Sequence, residues 1–249
     1  MTKDLFSKQA DAYSAYRPLY PPELYAWLVL QTPRPHHLAW DVGTGNGQVA
    51  AVLAQHFERV LATDLSAAQL AKALQVPNIT YRQALAKASG LDDSSTDLVC
   101  VAQAMHWFDL DLFYPEVDRV LRPGGLFAAW GYKIPESETN PGFTSAFFHC
   151  YKNILGPYWD PERRLVEESY ASMPFPYEKM ATPDFSMRAT WTAKDAAGYI
   201  ASWSALQNYR AVLQEDPLPA IEALLTEQVP PGTTVDVFFP MFVVCGRKV

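Results

Sequence analysis

The sequence has no apolar run of the about twenty residues that a membrane-spanning helix requires, so no transmembrane segment is expected. Cysteine is scarce. Cys100, Cys150 and Cys245 are far apart, odd in number and without metal-ligand spacing, which excludes a disulfide framework and a clustered metal site. Reduced thiols in a cytosol are the expectation. Concentrated basic patches are missing as well: 20 Lys and Arg are interspersed with 27 Asp and Glu, for a net charge of −7. That excludes the basic surface a duplex nucleic acid needs. There is no internal repeat and no low-complexity tract. The opening Met-Thr-Lys-Asp-Leu-Phe lacks the basic-then-apolar pattern of a secretory leader, so the expected setting is cytoplasmic, with no membrane and no nucleic-acid partner. At 249 residues the chain can bury a sizeable core, as one large domain or one domain with a lid.

What the sequence does contain is organised around residues 38–66. An apolar run, Leu38-Ala39-Trp40, leads to Asp41 and three alternating glycines, Gly43, Gly45 and Gly47. An amphipathic segment follows, with Val49, Val52, Leu53 and Phe57 on one helical face. A second apolar run, Val60-Leu61-Ala62, ends near Asp64. The order is strand, glycine turn, helix, strand, acid. Glycine suits a turn where side chains would block a ligand from the backbone. Unpaired amides at the helix start suit a carboxylate or phosphate. Asp64 lies about twenty residues beyond the first glycine, where an acid can accept both ribose hydroxyls. Two ligand classes use this geometry. A dinucleotide site is the less favoured, because counted as G-x-G-x-x-G the last position is Gln48.

The run D-V-G-T-G-N-G, with Asp64 after it, resembles the first motif of the Rossmann-like (class I) S-adenosylmethionine-dependent methyltransferases, type 11. The resemblance implies that Asp41, Gly43, Thr44, Gly45, Asn46 and Gly47 approach the aminoacyl part of the cofactor, and that Asp64 and Leu65 hold the ribose. It places adenine contacts at Ala84, Leu85 and Ala86, with Lys87 where relatives commonly carry an acid. Upstream, the aromatic segment around Tyr13, Tyr16 and Arg17 resembles one that closes over the cofactor in one branch. Tyr13 and Arg17 are candidates for the methionine carboxylate, since a phenol and a guanidinium both donate hydrogen bonds. Pro21-Pro22 should open a helix over 23–30. After Asp64, Ser66 can cap a helix with Gln69 in its first turn, and 79–84 alternates as a third strand.

The near-continuous apolar strand 97–102 runs into Gln103-Ala104-Met105-His106-Trp107-Phe108. This A-Q-A-x-H-W-F stretch resembles a small-molecule branch that includes trans-aconitate methyltransferase-like proteins. It implies Gln103 at the cofactor and His106 and Trp107 at the acceptor. His106 is a candidate base, against a purely structural role. A helix over 109–121 should end at Arg122-Pro123-Gly124-Gly125 before the apolar strand 126–130. Residues 133–190 are rich in proline and aromatics and read as an inserted lid, with Arg163 and Arg164 as candidates for an anionic acceptor. Thr192 and Asp195 should cap one long helix whose Tyr199, Ile200, Trp203 and Leu206 stripe reads as ordinary core. The closing residues 234–245 read as an antiparallel hairpin with a bulge or edge at Pro240.

The expected fold is α/β, a doubly wound and mostly parallel seven-stranded sheet with an antiparallel C-terminal hairpin and a helical, aromatic lid. Its expected parts are a core and aromatic cap over 1–132, the insertion over 133–190, and C-terminal helices and hairpin over 191–249 completing the same sheet. The expected activity is S-adenosylmethionine-dependent methyl transfer to a small molecule, with a carboxylate oxygen as one target. Carbon or phenol-oxygen methylation of an aromatic, and a non-catalytic cofactor-binding protein, remain open. No N-P-P-Y-type stretch and no Pro-Cys nucleophile follow strand four, which points away from nucleic-acid acceptors. A monomer or weak homodimer without metal is expected.

Overall fold

The computed structural model describes residues 16–249, so the sequence candidate Tyr13 lies outside the described residues. Five strands run parallel: β1 (Leu38–Val42), β2 (Arg59–Asp64), β3 (Ile79–Gln83), β4 (Thr96–Ala102) and β5 (Leu121–Tyr132). Two more, β6 (Ser186–Trp191) and β7 (Val235–Arg247), pair antiparallel, giving one sheet of order β3-β2-β1-β4-β5-β7-β6. Every residue of β1 is buried, as expected of a parallel strand covered on both faces. Alternation along it sends Ala39 to one face and Trp40 to the other. On the first face Leu24 and Leu28 of α1 (Pro22–Gln31) and Val49 and Leu53 of α2 (Gln48–Leu53) form the core. On the second, Phe113 and Val117 of α4 (Leu110–Val120) pack against Trp40, Val99 and Phe127. Between them in sequence, α3 (Ala67–Leu70) is a single turn, and Ser66 Oγ accepts from Gln69 N as its sequence predicts.

The expected helix stop after α4 is instead absorbed into β5. Leu121 already pairs with Thr96, and a register shift carries Arg122-Pro123-Gly124-Gly125 before regular pairing resumes at Leu126. Gly124 at φ 78° accommodates the irregularity, and Arg122 stays anchored by an ion pair of 2.7 Å to buried Asp97.

A third core lies at the β7–β6 end of the sheet. Phe143 and Phe147 of α5 (Pro141–His149) meet Trp191, Tyr199, Trp203 and Phe239 there. After α5 the chain passes through a π-helical turn, Cys150–Ile154, a 3-10 turn, Gly156–Tyr158, and α6 (Arg163–Glu167). Strand β6 begins within the run read as an insertion. The Thr192–Asp195 capping box is present, but the single helix expected after it is two: α7 (Ala193–Ala201) and α8 (Ser204–Leu213). Ser202 Oγ donates to the Tyr199 carbonyl at 2.7 Å and Trp203 is extended at ψ 140°, so the hydroxyl competes with the helical ladder and the chain turns. Helix α9 (Leu218–Gln228) returns the chain to the sheet.

The closing residues 234–245 are likewise not a hairpin by themselves. All but Thr234 belong to one strand, β7, which pairs with β6 up to Pro240 and with β5 from Met241 onward. Pro240 lacks an N–H where the strand passes from one neighbour to the other, and its carbonyl accepts from Lys133 N at 2.8 Å.

Candidate functional site

In a sheet of this order β1 and β4 are parallel neighbours at which the strand order reverses, and ligands gather outside the carboxyl ends of the strands at such a point. A cavity of about 1000 Å³ opens there. Its floor is Gly43, Gly45 and Asp64 at the ends of β1 and β2, with Leu65, Ala84, Leu85 and Ala86 along one rim. Its far wall is Gln103, His106, Trp107, Tyr132, Trp159, Arg163, Tyr199 and Trp203. A smaller pocket beneath the glycine turn is lined by Arg17, Asp41, Thr44 and Asn46.

The turn is built by left-handed backbone at Gly43, Gly45 and Gly47, with φ of 70°, 57° and 81°. Side chains are excluded for different reasons. A Cβ on Gly43 would sit 2.8 Å from Ala104 Cβ, and one on Gly47 would run into the Tyr81 hydroxyl, whereas one on Gly45 would meet nothing within 4 Å. Gly45 therefore faces the open cavity. The amides expected to be unpaired are mostly taken: Gly43 N and Thr44 N bond Thr63 O, Gly47 N bonds Thr44 O, and Gly45 N bonds Asp64 Oδ2 at 2.8 Å. The loop is folded back onto β2, so it offers shape and space more than free donors. Asp64 takes a second amide, Ser66 N, on Oδ1 at 2.8 Å, which fixes the carboxylate at the strand end.

Asp41 lies under the turn, fully buried, accepting from Thr44 Oγ1 and from Cys100 Sγ. Burial raises its pKa to about 6, against the opposing pull of those hydrogen bonds. Arg17 reaches in from the N-terminal side, donating through Nη1 to Tyr132 Oη at 2.7 Å and lying 5.9 Å over the Tyr199 ring. Gln103, itself left-handed at φ 53°, accepts from Tyr132 N at 3.1 Å.

Of the adjacent arginines only one reaches the cavity. Neighbouring helical residues point about 100° apart, and Arg164 turns to solvent, pairing with Glu168 at 3.2 Å. That removes it from the candidate site. Arg163 donates through Nε to Tyr151 Oη at 2.8 Å, and its guanidinium lies 5.0 Å from the Trp159 ring and 5.3 Å from that of Tyr151. Glu167 is occupied by the Tyr151 hydroxyl and by Lys152. Among the described residues no carboxylate pairs with Arg163. His106 is buried in the wall. Desolvation first and the Arg163 charge second lower its pKa to about 3, so its imidazole is neutral at neutral pH.

Sequence reasoning missed Tyr132, Tyr199, Trp203 and Tyr170. The first sits at the carboxyl end of β5, the position where the sheet should expose a ligand-facing residue, and that signal was available. Tyr199 and Trp203 are core residues on the expected stripe, yet their rings also wall the cavity. Nothing in the local sequence marks Tyr170, whose hydroxyl lies 3.0 Å from His106 Nδ1 behind the wall.

The cavity floor has the size and polarity for a nucleoside carrying an amino-acid chain. The open face of Gly45, the clamped carboxylate of Asp64 and the guanidinium of Arg17 fit such a group, and comparison with known proteins identifies it. The chain belongs to the S-adenosylmethionine-dependent methyltransferases of the Rossmann-like class. The type 11 methyltransferase-domain family matches residues 40–129. A Dictyostelium discoideum protein named as a methyltransferase is 31% identical over 250 residues, spanning 98% of this chain and 95% of its own. The methyltransferase cfoB of Aspergillus candidus is 30% identical over 208 residues, 70% of this chain and 63% of its own. A structure described as a type II methyltransferase from Anaeromyxobacter dehalogenans superposes with a TM-score of 0.85 at 38% identity, covering 94% of this chain and 98% of that one. S-adenosylmethionine supplies an activated methyl group, which leaves the protein to align the acceptor and exclude water.

Proposed function

We propose that this enzyme methylates a carboxylate-bearing small molecule. The observation that carries the reading is Arg163, a guanidinium on the cavity wall with no carboxylate partner among the described residues. A cation stacked on Trp159 and Tyr151 is held in place for an anion and is partly shielded from water. The neutral, weakly basic His106 supports the same reading. A carboxylate is ionised at neutral pH and needs no base, whereas a phenol of pKa ~10 gains little from an imidazole of this basicity. The likeness of residues 102–108 to the trans-aconitate methyltransferase-like branch agrees.

In this reading the donor occupies the floor. Gly45 gives it room, Asp64 and Leu65 take the ribose, Arg17 takes the methionine carboxylate, and Ala84, Leu85 and Ala86 border the adenine. The aromatic wall and the part of the 133–190 insertion that precedes β6 act as the acceptor's lid. The test is release of S-adenosylhomocysteine with a panel of four- to six-carbon di- and tricarboxylates beside phenols and amines. Carboxylates are expected to be turned over, and Arg163→Met to raise their KM by about ten- to hundredfold with donor affinity unchanged. Turnover of phenols with the carboxylates silent would replace this reading by methylation of an aromatic acceptor.

A further inference from the structure

Helix α6 ends in an unusual way. Ser169 N bonds Val166 O and Tyr170 N bonds Leu165 O at 2.8 Å, a helix stop that needs one left-handed residue. Here two in succession are left-handed, Ser169 at φ 55° and Tyr170 at φ 59°, and neither is glycine. For a bulky aromatic this is a strained conformation, kept only where the surroundings over-determine it. What it secures is the position of one phenol. Tyr170 is buried with its ring edge-on to Phe242, and its hydroxyl lies 3.0 Å from His106 Nδ1.

The direction of that hydrogen bond follows from the inventory of partners. A buried phenol must place its proton on an acceptor, and among the described residues His106 Nδ1 is the acceptor within reach. A ring donating through Nδ1 would strand the phenol's own proton. Nδ1 therefore accepts, and the neutral ring carries its proton on Nε2. His106 lines the cavity, its Nε2 bonds no described protein group, and Arg163 acts electrostatically on both His106 and Tyr170.

We propose that Tyr170 is a positioning residue that fixes His106 as an Nε2–H donor, so that His106 and Arg163 together grip the acceptor's carboxylate. The grip rests on the carboxylate reading above; the tautomer does not. Long-range proton–nitrogen spectra of the full chain with S-adenosylhomocysteine, at neutral pH, test the tautomer without any acceptor. The expected result is a neutral His106 protonated on Nε2, passing to a mixture of tautomers in Tyr170→Phe. Protonation on Nδ1 in the wild type overturns the proposal, as does an unchanged tautomer in the variant. If Tyr170→Phe fails to fold, the wild-type spectrum decides. With whichever carboxylate the acceptor panel yields, His106→Leu should raise KM about tenfold with little change in kcat, and His106→Gln, which keeps an N–H, should restore most of it. An unchanged KM in His106→Leu overturns the grip. A panel in which no carboxylate is turned over defeats the carboxylate reading and the grip with it, while the tautomer is still decided by the spectra.

Discussion

Asp41 shows how a single residue of the proposed donor site sets stability against binding. Its carboxylate is fully buried under the glycine turn with a pKa raised to about 6, burial being the largest cause and Asp64 adding to it. A folded-state value above the unfolded one means that the folded protein binds the proton more tightly. Stability contributed by this group is therefore present at low pH and lost as pH rises from about 4 to about 6. Above that window the buried charge costs roughly 3 kcal/mol, taking about 1.4 kcal/mol per unit. Asp41→Asn keeps the shape and removes the charge. The variant is expected to unfold at a higher temperature than the wild type at pH 8 and at nearly the same temperature at pH 4, while binding S-adenosylmethionine more weakly. Thermal unfolding across pH checks the first part and calorimetric titration the second. A stability difference that is constant with pH would show that Asp41 is not the group that titrates.

At the scale of elements, the contact between the N-terminal segment and α7 is the sharpest case of sequence and packing disagreeing. Glycine inside a helix costs about 0.5–1 kcal/mol relative to alanine, so Gly198→Ala should stabilise α7 taken alone. In the fold a Cβ at Gly198 would lie 2.6 Å from the Tyr16 ring. Overpacking of that kind costs about 1–3 kcal/mol, so the clash outweighs the propensity. Arg17, the next residue, bonds Tyr132 at the cavity. Gly198→Ala is therefore expected to lower the unfolding temperature and weaken donor binding several-fold, and adding Tyr16→Ala should recover the stability but not the binding. An alanine variant more stable than wild type, with unchanged donor affinity, would dismiss the contact. The same scale explains what could be read from the chain alone. The glycine turn, Asp64 at the end of β2, the Ser66 cap and the Thr192–Asp195 box are local in sequence, and each stands where its pattern implies. The break at Ser202 depends on which acceptor its hydroxyl finds. The course of β7 through Pro240 depends on two neighbours that the sequence does not pair. The choice between Arg163 and Arg164 depends on how a helix of five residues is rotated against the rest, which only tertiary packing fixes.

At the scale of the whole molecule, the proposed acceptor meets two fields of opposite sign. The chain carries a net charge of −7, which repels an anion at a distance, while Arg163 attracts it inside the cavity. Salt affects the two unequally. The Debye length falls from about 30 Å at 0.01 M to about 8 Å at 0.15 M, so the long-range repulsion is screened first, and a partly buried contact is screened much less. Raising ionic strength over that interval should therefore increase kcat/KM for a dicarboxylate acceptor, by about two- to fivefold. A neutral methyl ester of the same acceptor, if turned over, should show a flat profile. Arg163→Met should lower kcat/KM for the dicarboxylate at every salt concentration while leaving its dependence on salt nearly unchanged, because the arginine acts after the long-range approach. A wild-type kcat/KM that instead falls with salt, and falls less in Arg163→Met, would mean that the local cation governs approach as well as binding. In that case the acidic surface must be distributed away from the cavity mouth, and net charge would be the wrong description of the field an incoming acceptor meets.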